Sequence, residues 1–151
     1  MAGIVAAMLL REIRSADAVA VAALSGELGY PVSPEAMRQR IEALLGRMDR
    51  SVYVACAEGE VVIGWIDVGV TQHLQSEACA EIGGLVVSRE ARSRGIGRQL
   101  VARAEVWARE RGLKSVVVRS QIAREAAHRF YLREGYERTK TSAVFRKRLG
   151  E

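Results

Sequence analysis

The sequence predicts a single α/β domain whose second half contains at least one parallel strand pair. Three observations carry this. The chain has 151 residues, the length of one domain with its own core. Apolar residues make up 49% of it and charged residues 27%, the balance of a globular protein with a water-facing surface. In the second half, strands alternate with helices, and parallel neighbours joined in this way need a crossover helix.

The order along the chain reads strand, two helices, three strands, helix, strand, helix, two strands. "MLLREI" is the first strand. The apolar lead "AGIVAAMLL" lacks a basic start and runs straight into Arg11 and Glu12. It is too short for a membrane span of roughly 20 residues and reads as no secretory signal. "DAVAVAALSGEL" is helical and ends near Gly29. "SPEAMRQRIEALLGR" opens with Ser33 as N-cap and Pro34 in the first helical position. Met37, Ile41, Leu44, Leu45 and Met48 then form its apolar face.

"SVYVACAEGEVVIGWIDVGV" reads as a hairpin turning at Glu58-Gly59-Glu60, because two β-rich runs flank a glycine. "ACAEIGGLVVS" is the next strand. Gly83-Gly84 within it marks a bulge or a close backbone approach. From Ile96 to Arg111, residues Ile96, Leu100, Ala104, Trp107 and Ala108 fall on one helix face, and Gly112 suits the C-terminal cap. "KSVVVRS" is a buried strand. "AREAAHRFYLREG" is a helix capped by Gly135. "YERTK" and "SAVFRKRL" read as a closing antiparallel pair.

The formal charge of +5 favours anionic partners. Nucleic acid is a poor match, because no stacking aromatics interleave the arginines. Cys56 and Cys79 lie far apart, and His73 and His128 complete no ligand cluster, so no metal site is expected. Both cysteines read as free thiols in a reducing, cytoplasmic compartment.

"VVSREARSRGIGRQL" carries the chemistry. A strand ends, a basic loop follows, and two glycines flank Ile96 at a helix start. The first turn of a helix leaves backbone N–H groups without intrahelical partners, and the helix dipole adds positive potential. Glycines at 95 and 97 let a phosphate approach these amides, and nearby arginines add attraction. A Walker A loop needs Lys-Ser/Thr where Arg98-Gln99 stands. The dinucleotide fingerprint needs a third glycine near Leu100.

The segment Arg92-Ser-Arg-Gly95-Ile-Gly97 resembles the Arg/Gln-x-x-Gly-x-Gly/Ala signature of the GNAT superfamily of N-acetyltransferases, and the "ELGYP" opening and "YERTKTSAVFRKRL" ending resemble bacterial members near its aminoglycoside-acetyltransferase branch. The flanking strands fall where that family places them. Ala127, Tyr131, Gly135 and Tyr136 match its Asn-x-x-Ala-x-x-x-Tyr-x-x-x-Gly-Phe/Tyr motif, with Arg124 in place of the frequent asparagine. The resemblance spans roughly residues 51–149.

The resemblance implies a twisted mixed sheet with helices on both faces and splayed parallel fourth and fifth strands. Acetyl-CoA would enter that splay as the acyl donor. Its pantetheine arm would pair with backbone groups of Leu85, Val86 and Val87, as an added strand does. Its diphosphate would rest on amides from Arg92 through Ser93, Arg94, Gly95, Ile96 and Gly97 to Arg98. Arg124, Ala127, Phe130 and Tyr131 would complete the coenzyme contacts.

The implied reaction is acetyl transfer to the primary amine of a small molecule by direct attack in a ternary complex. Tyr131 would protonate the departing thiolate. Glu81 would take the amine's proton, directly or through water, as a partly buried carboxylate can. A backbone N–H near Leu85 would hold the oxyanion. Glu27, Tyr30 and Trp65 are the expected acceptor-binding residues. A catalytically silent acyl-CoA sensor and a protein-amine acetyltransferase are the alternatives. No nucleic-acid or membrane partner is expected, and the family's habit suggests a homodimer.

Overall fold

The computed structural model describes residues 8–120 and 124–150. The chain divides into two compact units, Met1–Val118 and Arg119–Glu151.

The first unit is a five-stranded sheet in the order β1-β2-β3-β4-β5. Its strands are β1 (Leu9–Glu12), β2 (Arg50–Ala57), β3 (Val61–His73), β4 (Ser76–Val87) and β5 (Val116–Val118). The first four are antiparallel to their neighbours, and β5 runs parallel to β4. Three helices belong to this unit: α1 (Ala18–Glu27), α2 (Pro34–Leu44) and α3 (Ile96–Glu110).

The alternation of β2 and β3 divides their side chains between two helical layers. Val52, Val54 and Cys56 join Ile13, Ala18, Val21, Met37 and Ile41 in the core beneath α1 and α2. On the other face, Arg103 of α3 lies over the Tyr53 ring, 4.4 Å from its centroid. The α3 residues expected to face inward, Ile96, Leu100, Ala104, Trp107 and Ala108, are all buried. Truncating Leu100 to alanine there removes packing worth about 2–5 kcal/mol.

Local signals set the element ends. Ser33 Oγ accepts the Ala36 N–H at 3.1 Å and caps α2. After α1, the Tyr30 N–H returns to the Ser25 carbonyl at 3.0 Å across Gly29, a Schellman closure. At the entry to α1, Arg11 grips Asp17 with two hydrogen bonds of 2.8 and 2.9 Å. The Arg14 N–H adds a third to the same carboxylate at 2.7 Å.

Two expectations need correction. The α2 face stops earlier than its periodicity suggests. Leu45 turns out of the helix at ψ 136°, so Leu45 and Met48 are exposed. The closing strand pair is not formed. Residues 137–150 carry no regular structure, and Val144, Phe145 and Leu149 are exposed. Alternating apolar residues specify a strand's face, but a strand exists only when its backbone finds a partner.

The second unit contains α4 (Glu125–Arg133). The Gly135 and Tyr136 amides fold back onto the Leu132 and Tyr131 carbonyls at 3.2 and 2.9 Å, closing the helix as the glycine predicts.

Candidate functional site

The first unit brings most of the expected residues to one end of β4. That strand pairs with β5 only at Ala80–Val116, Glu81–Val117 and Ile82–Val118. Beyond Ile82, within this unit, no strand continues on that side. The backbone from Gly83 to Val87 is left with β3 as its strand neighbour. That stretch contains Leu85, Val86 and Val87, the residues expected to pair with the coenzyme arm.

The loop into α3 is shaped for an anion. Ser93 and Gly95 are both left-handed, at φ 66° and 77°. Glycine adopts that backbone without cost from a side chain, but serine rarely does. Left-handed residues in a tight turn gather amides into a concave anion-binding surface. Ile96 and Gly97 follow in the first turn of α3, where amides lack intrahelical acceptors. Arg92 and Arg94 are exposed beside them, and Arg92 Nε reaches the Val87 carbonyl at 3.4 Å. The residues from Arg92 to Arg98 therefore fit the diphosphate of coenzyme A, and the open β4 backbone fits its amide-bearing arm.

The expected bulge is present. Asp67 lies opposite Gly84 and Val68 opposite Ile82, so Gly83 is the extra residue. Around it the sheet presents a charged group on the face that α1 and α2 cover. Glu81 is half-buried, and its carboxylate accepts from Thr71 Oγ1 at 3.3 Å. Asp67 accepts from Arg50 Nη2 at 2.9 Å and from the Gly83 N–H. Burial pushes the Asp67 carboxyl above its ordinary pKa, while Arg50 and the Gly83 amide pull the other way.

Glycines make room for this group. A methyl at Gly83 would collide with Asp67 Oδ1, and one at Gly69 would press on the Arg50 side chain at 3.2 Å. At Gly84 it would meet Trp65 Cη2 at 2.9 Å. The Trp65 ring therefore lies against Gly84, and it also packs on the α1–α2 core.

The remaining acceptor-side expectations divide. The Glu27 carboxylate accepts the Arg89 N–H at 3.2 Å, so it braces the loop from the end of α1. Tyr30 is exposed after the α1 cap. Asp67, Arg50 and Thr71 escaped the sequence reading. Their signal was a charged residue in "WIDVGV", two positions from Trp65 on the same strand face.

In the second unit, Arg124 caps α4, which carries Ala127, Phe130 and Tyr131. Arg124 is the exposed N-cap, and Ala127 is half-buried on the helix. Tyr131 meets Phe130 and Tyr136 edge to face, with centroids 5.1 and 5.7 Å apart. Burial pushes its phenol above the ordinary tyrosine pKa, against the pull of Arg124. The group therefore stays protonated, as a proton donor must.

Comparison with known proteins agrees with this arrangement. The acetyltransferase (GNAT) family matches residues 15–136. An aminoalkylphosphonate N-acetyltransferase of Salmonella typhimurium is 40% identical over 119 residues, covering 77% of this chain and 73% of that one. An aminoglycoside N(6')-acetyltransferase type 1 of Stenotrophomonas maltophilia is 25% identical over 147 residues, covering 95% of each. The solved structure of the aminoglycoside N-acetyltransferase AAC(6')-Iy with CoA superposes with a TM-score of 0.84 at 21% identity, covering 94% of this chain and 95% of that one. The parallel pairing of β4 with β5, the left-handed loop at the head of α3 and the family match over residues 15–136 lead to one conclusion: this chain belongs to the GNAT family of acetyltransferases.

Proposed function

We propose that the chain transfers an acetyl group from acetyl-CoA to the primary amine of a small molecule, by direct attack within a ternary complex. The observation that carries this reading is the continuity of three features in the first unit. Open β4 backbone at 83–87 leads into the left-handed loop at 93–95. Carboxylates at 67 and 81 stand at the other end of that backbone.

Each residue then has a role. Backbone groups of Leu85, Val86 and Val87 pair with the pantetheine arm, and amides from Arg92 to Arg98 hold the diphosphate. The N–H near Leu85 faces the oxyanion. Glu81 takes up the acceptor's proton, directly or through water. Tyr131 returns a proton to the thiolate, while Arg124, Ala127 and Phe130 contact the coenzyme. Trp65, lying against Gly84, and the exposed Tyr30 wall the acceptor side. Among the described residues no group of His, Cys, Asp and Glu could hold a metal ion, and no role is assigned to one.

The relatives' names suggest the acceptors to try first: aminoalkylphosphonates and aminoglycosides. The free thiols Cys56 and Cys79 support a reducing, cytoplasmic setting. Among the described residues no helix is long and apolar enough to cross a membrane. The exposed Val144, Phe145 and Leu149 support a homodimer, which sedimentation would test.

The deciding experiment follows coenzyme A release over a panel of aminoalkylphosphonates, aminoglycosides, polyamines and protein amines. Turnover with a small amine is the expected result. Tight acetyl-CoA binding without turnover would make the protein a sensor, and turnover with protein amines alone would move the acceptor class.

A further inference from the structure

We propose that Asp67, oriented by Arg50 and the Gly83 amide, is the anchor for the acceptor's ammonium group. This inference rests on the acetyltransferase reading and extends it to a residue outside the family motifs quoted above.

The geometry carries it. Asp67 sits opposite the bulge of β4, where its carboxylate fills the space that a side chain at Gly83 would take. Charge is thereby delivered to β4 from the neighbouring strand. The Asp67 and Arg50 side chains keep 22% and 34% of their exposure, so the pair is not sealed in the core. Two glycines, Gly69 and Gly83, leave room for it. An ion pair that only stabilises the fold needs neither a bulge beside it nor an exposed edge.

The local charges fit a single ammonium. Arg50 from β2 and Glu81 from β4 are the charged groups that act on Asp67. The residues that α1 and α2 bury on this face are all uncharged. Asp67 and Glu81 set two carboxylates beside the bulge, with the Arg50 guanidinium on the first. The ammonium binds between Asp67 and Glu81. It gives its proton to Glu81, and the neutral nitrogen attacks the thioester carbonyl. The C–N bond forms and the C–S bond breaks; the nitrogen loses its second proton as the amide forms, the leaving thiolate takes up one proton to become the thiol, and one proton in all remains on Glu81.

The sign of the pH dependence follows. Asp67 must be ionised to hold a cation, and burial raises its pKa. Acceptor affinity is therefore full above that pKa and is lost as pH falls through it. Arg50 opposes the rise, so removing its charge moves the loss to higher pH.

The test uses the full chain with acetyl-CoA and the best amine from the panel. Asp67→Asn is expected to raise the amine KM at least tenfold, with kcat within about threefold and CoA affinity unchanged. Glu81→Gln is expected to lower kcat instead. In Arg50→Met the pH at which the amine KM climbs should shift upward, and this measurement decides the matter alone if Asp67→Asn does not fold. An Asp67→Asn enzyme with lower thermal stability but wild-type KM would overturn the proposal, reducing the pair to a structural one. So would an unshifted profile in Arg50→Met. Either result leaves the acetyltransferase reading intact, whereas a wild-type chain that acetylates no amine overturns both.

Discussion

The Glu27 carboxylate accepts the Arg89 N–H at 3.2 Å, and the Arg89 guanidinium donates to the Glu27 carbonyl at the same distance. The C-terminal end of α1 is thus tied to the loop that precedes α3. Glu27→Ala removes one of these bonds and loosens the loop. Its contacts are exposed, so the effect is modest, about 1 kcal/mol. Calorimetry should find coenzyme A binding weakened about fivefold, with the amine KM little changed. The opposite pattern would return Glu27 to the acceptor site.

Tyr131 should act through its hydroxyl rather than its ring. Tyr131→Phe preserves the edge-to-face contacts with Phe130 and Tyr136 and deletes the proton. Turnover should fall at least tenfold, about 1.4 kcal/mol, with coenzyme affinity retained. Because burial raises the phenol's pKa, the wild-type basic limb should lie above the ordinary tyrosine range. A pH–rate profile of the variant should lack that limb.

The backbone of the loop gives a paired prediction. Gly95 has φ 77° and Ser93 has φ 66°. Gly95→Ala forces a side chain into the left-handed region, at about 1 kcal/mol. Ser93→Gly relieves the same conformation. Thermal melts should move in opposite directions, downward for the first and upward or not at all for the second. Gly95→Ala should also weaken coenzyme binding.

Acid stability should depend on Asp17. Its hydrogen bonds from Arg11, helped by the Arg14 amide, hold its carboxyl below the ordinary range. The contribution is complete above the unfolded pKa of about 4 and is lost as pH falls through the lower folded value. The Arg11 and Asp17 side chains are only 12% and 8% exposed. Asp17→Ala leaves the guanidinium buried and should cost about 3 kcal/mol. Denaturant melts from pH 7 to pH 3 should show the wild type approaching the variant as acid is added.

Elements with local signals were legible in the sequence. The α3 stripe from Ile96 to Ala108 needs only its periodicity, and the Ser33 cap and the Gly59 turn need only neighbouring residues. The turn into α3 was legible at Gly95, which stands at positive φ at the head of the helix. What failed was non-local. Residues 142–149 alternate correctly, but pairing depends on a partner the sequence does not specify. Leu45 and Met48 fit the α2 period, yet the helix ends before it reaches them. Asp67 was missed because its meaning lies in Gly83, sixteen positions away, and only the strand register joins the two. That Ser93 is left-handed has no sequence signal at all.

The complementary fit across β2, β3 and β4 also restricts how this surface can diverge. Asp67 occupies the room above Gly83, Trp65 the room above Gly84, and Arg50 the room above Gly69. A side chain at Gly83 or Gly84 collides with Asp67 or Trp65, and one at Gly69 presses on Arg50, while a shrunken neighbour alone leaves a hole or an uncompensated guanidinium. Change at Gly83 or Gly84 is easiest in coupled pairs. A carboxylate can cross from β3 to β4 by exchanging residues 67 and 83 together, so related chains can keep the same charge at the same place while carrying it on different strands.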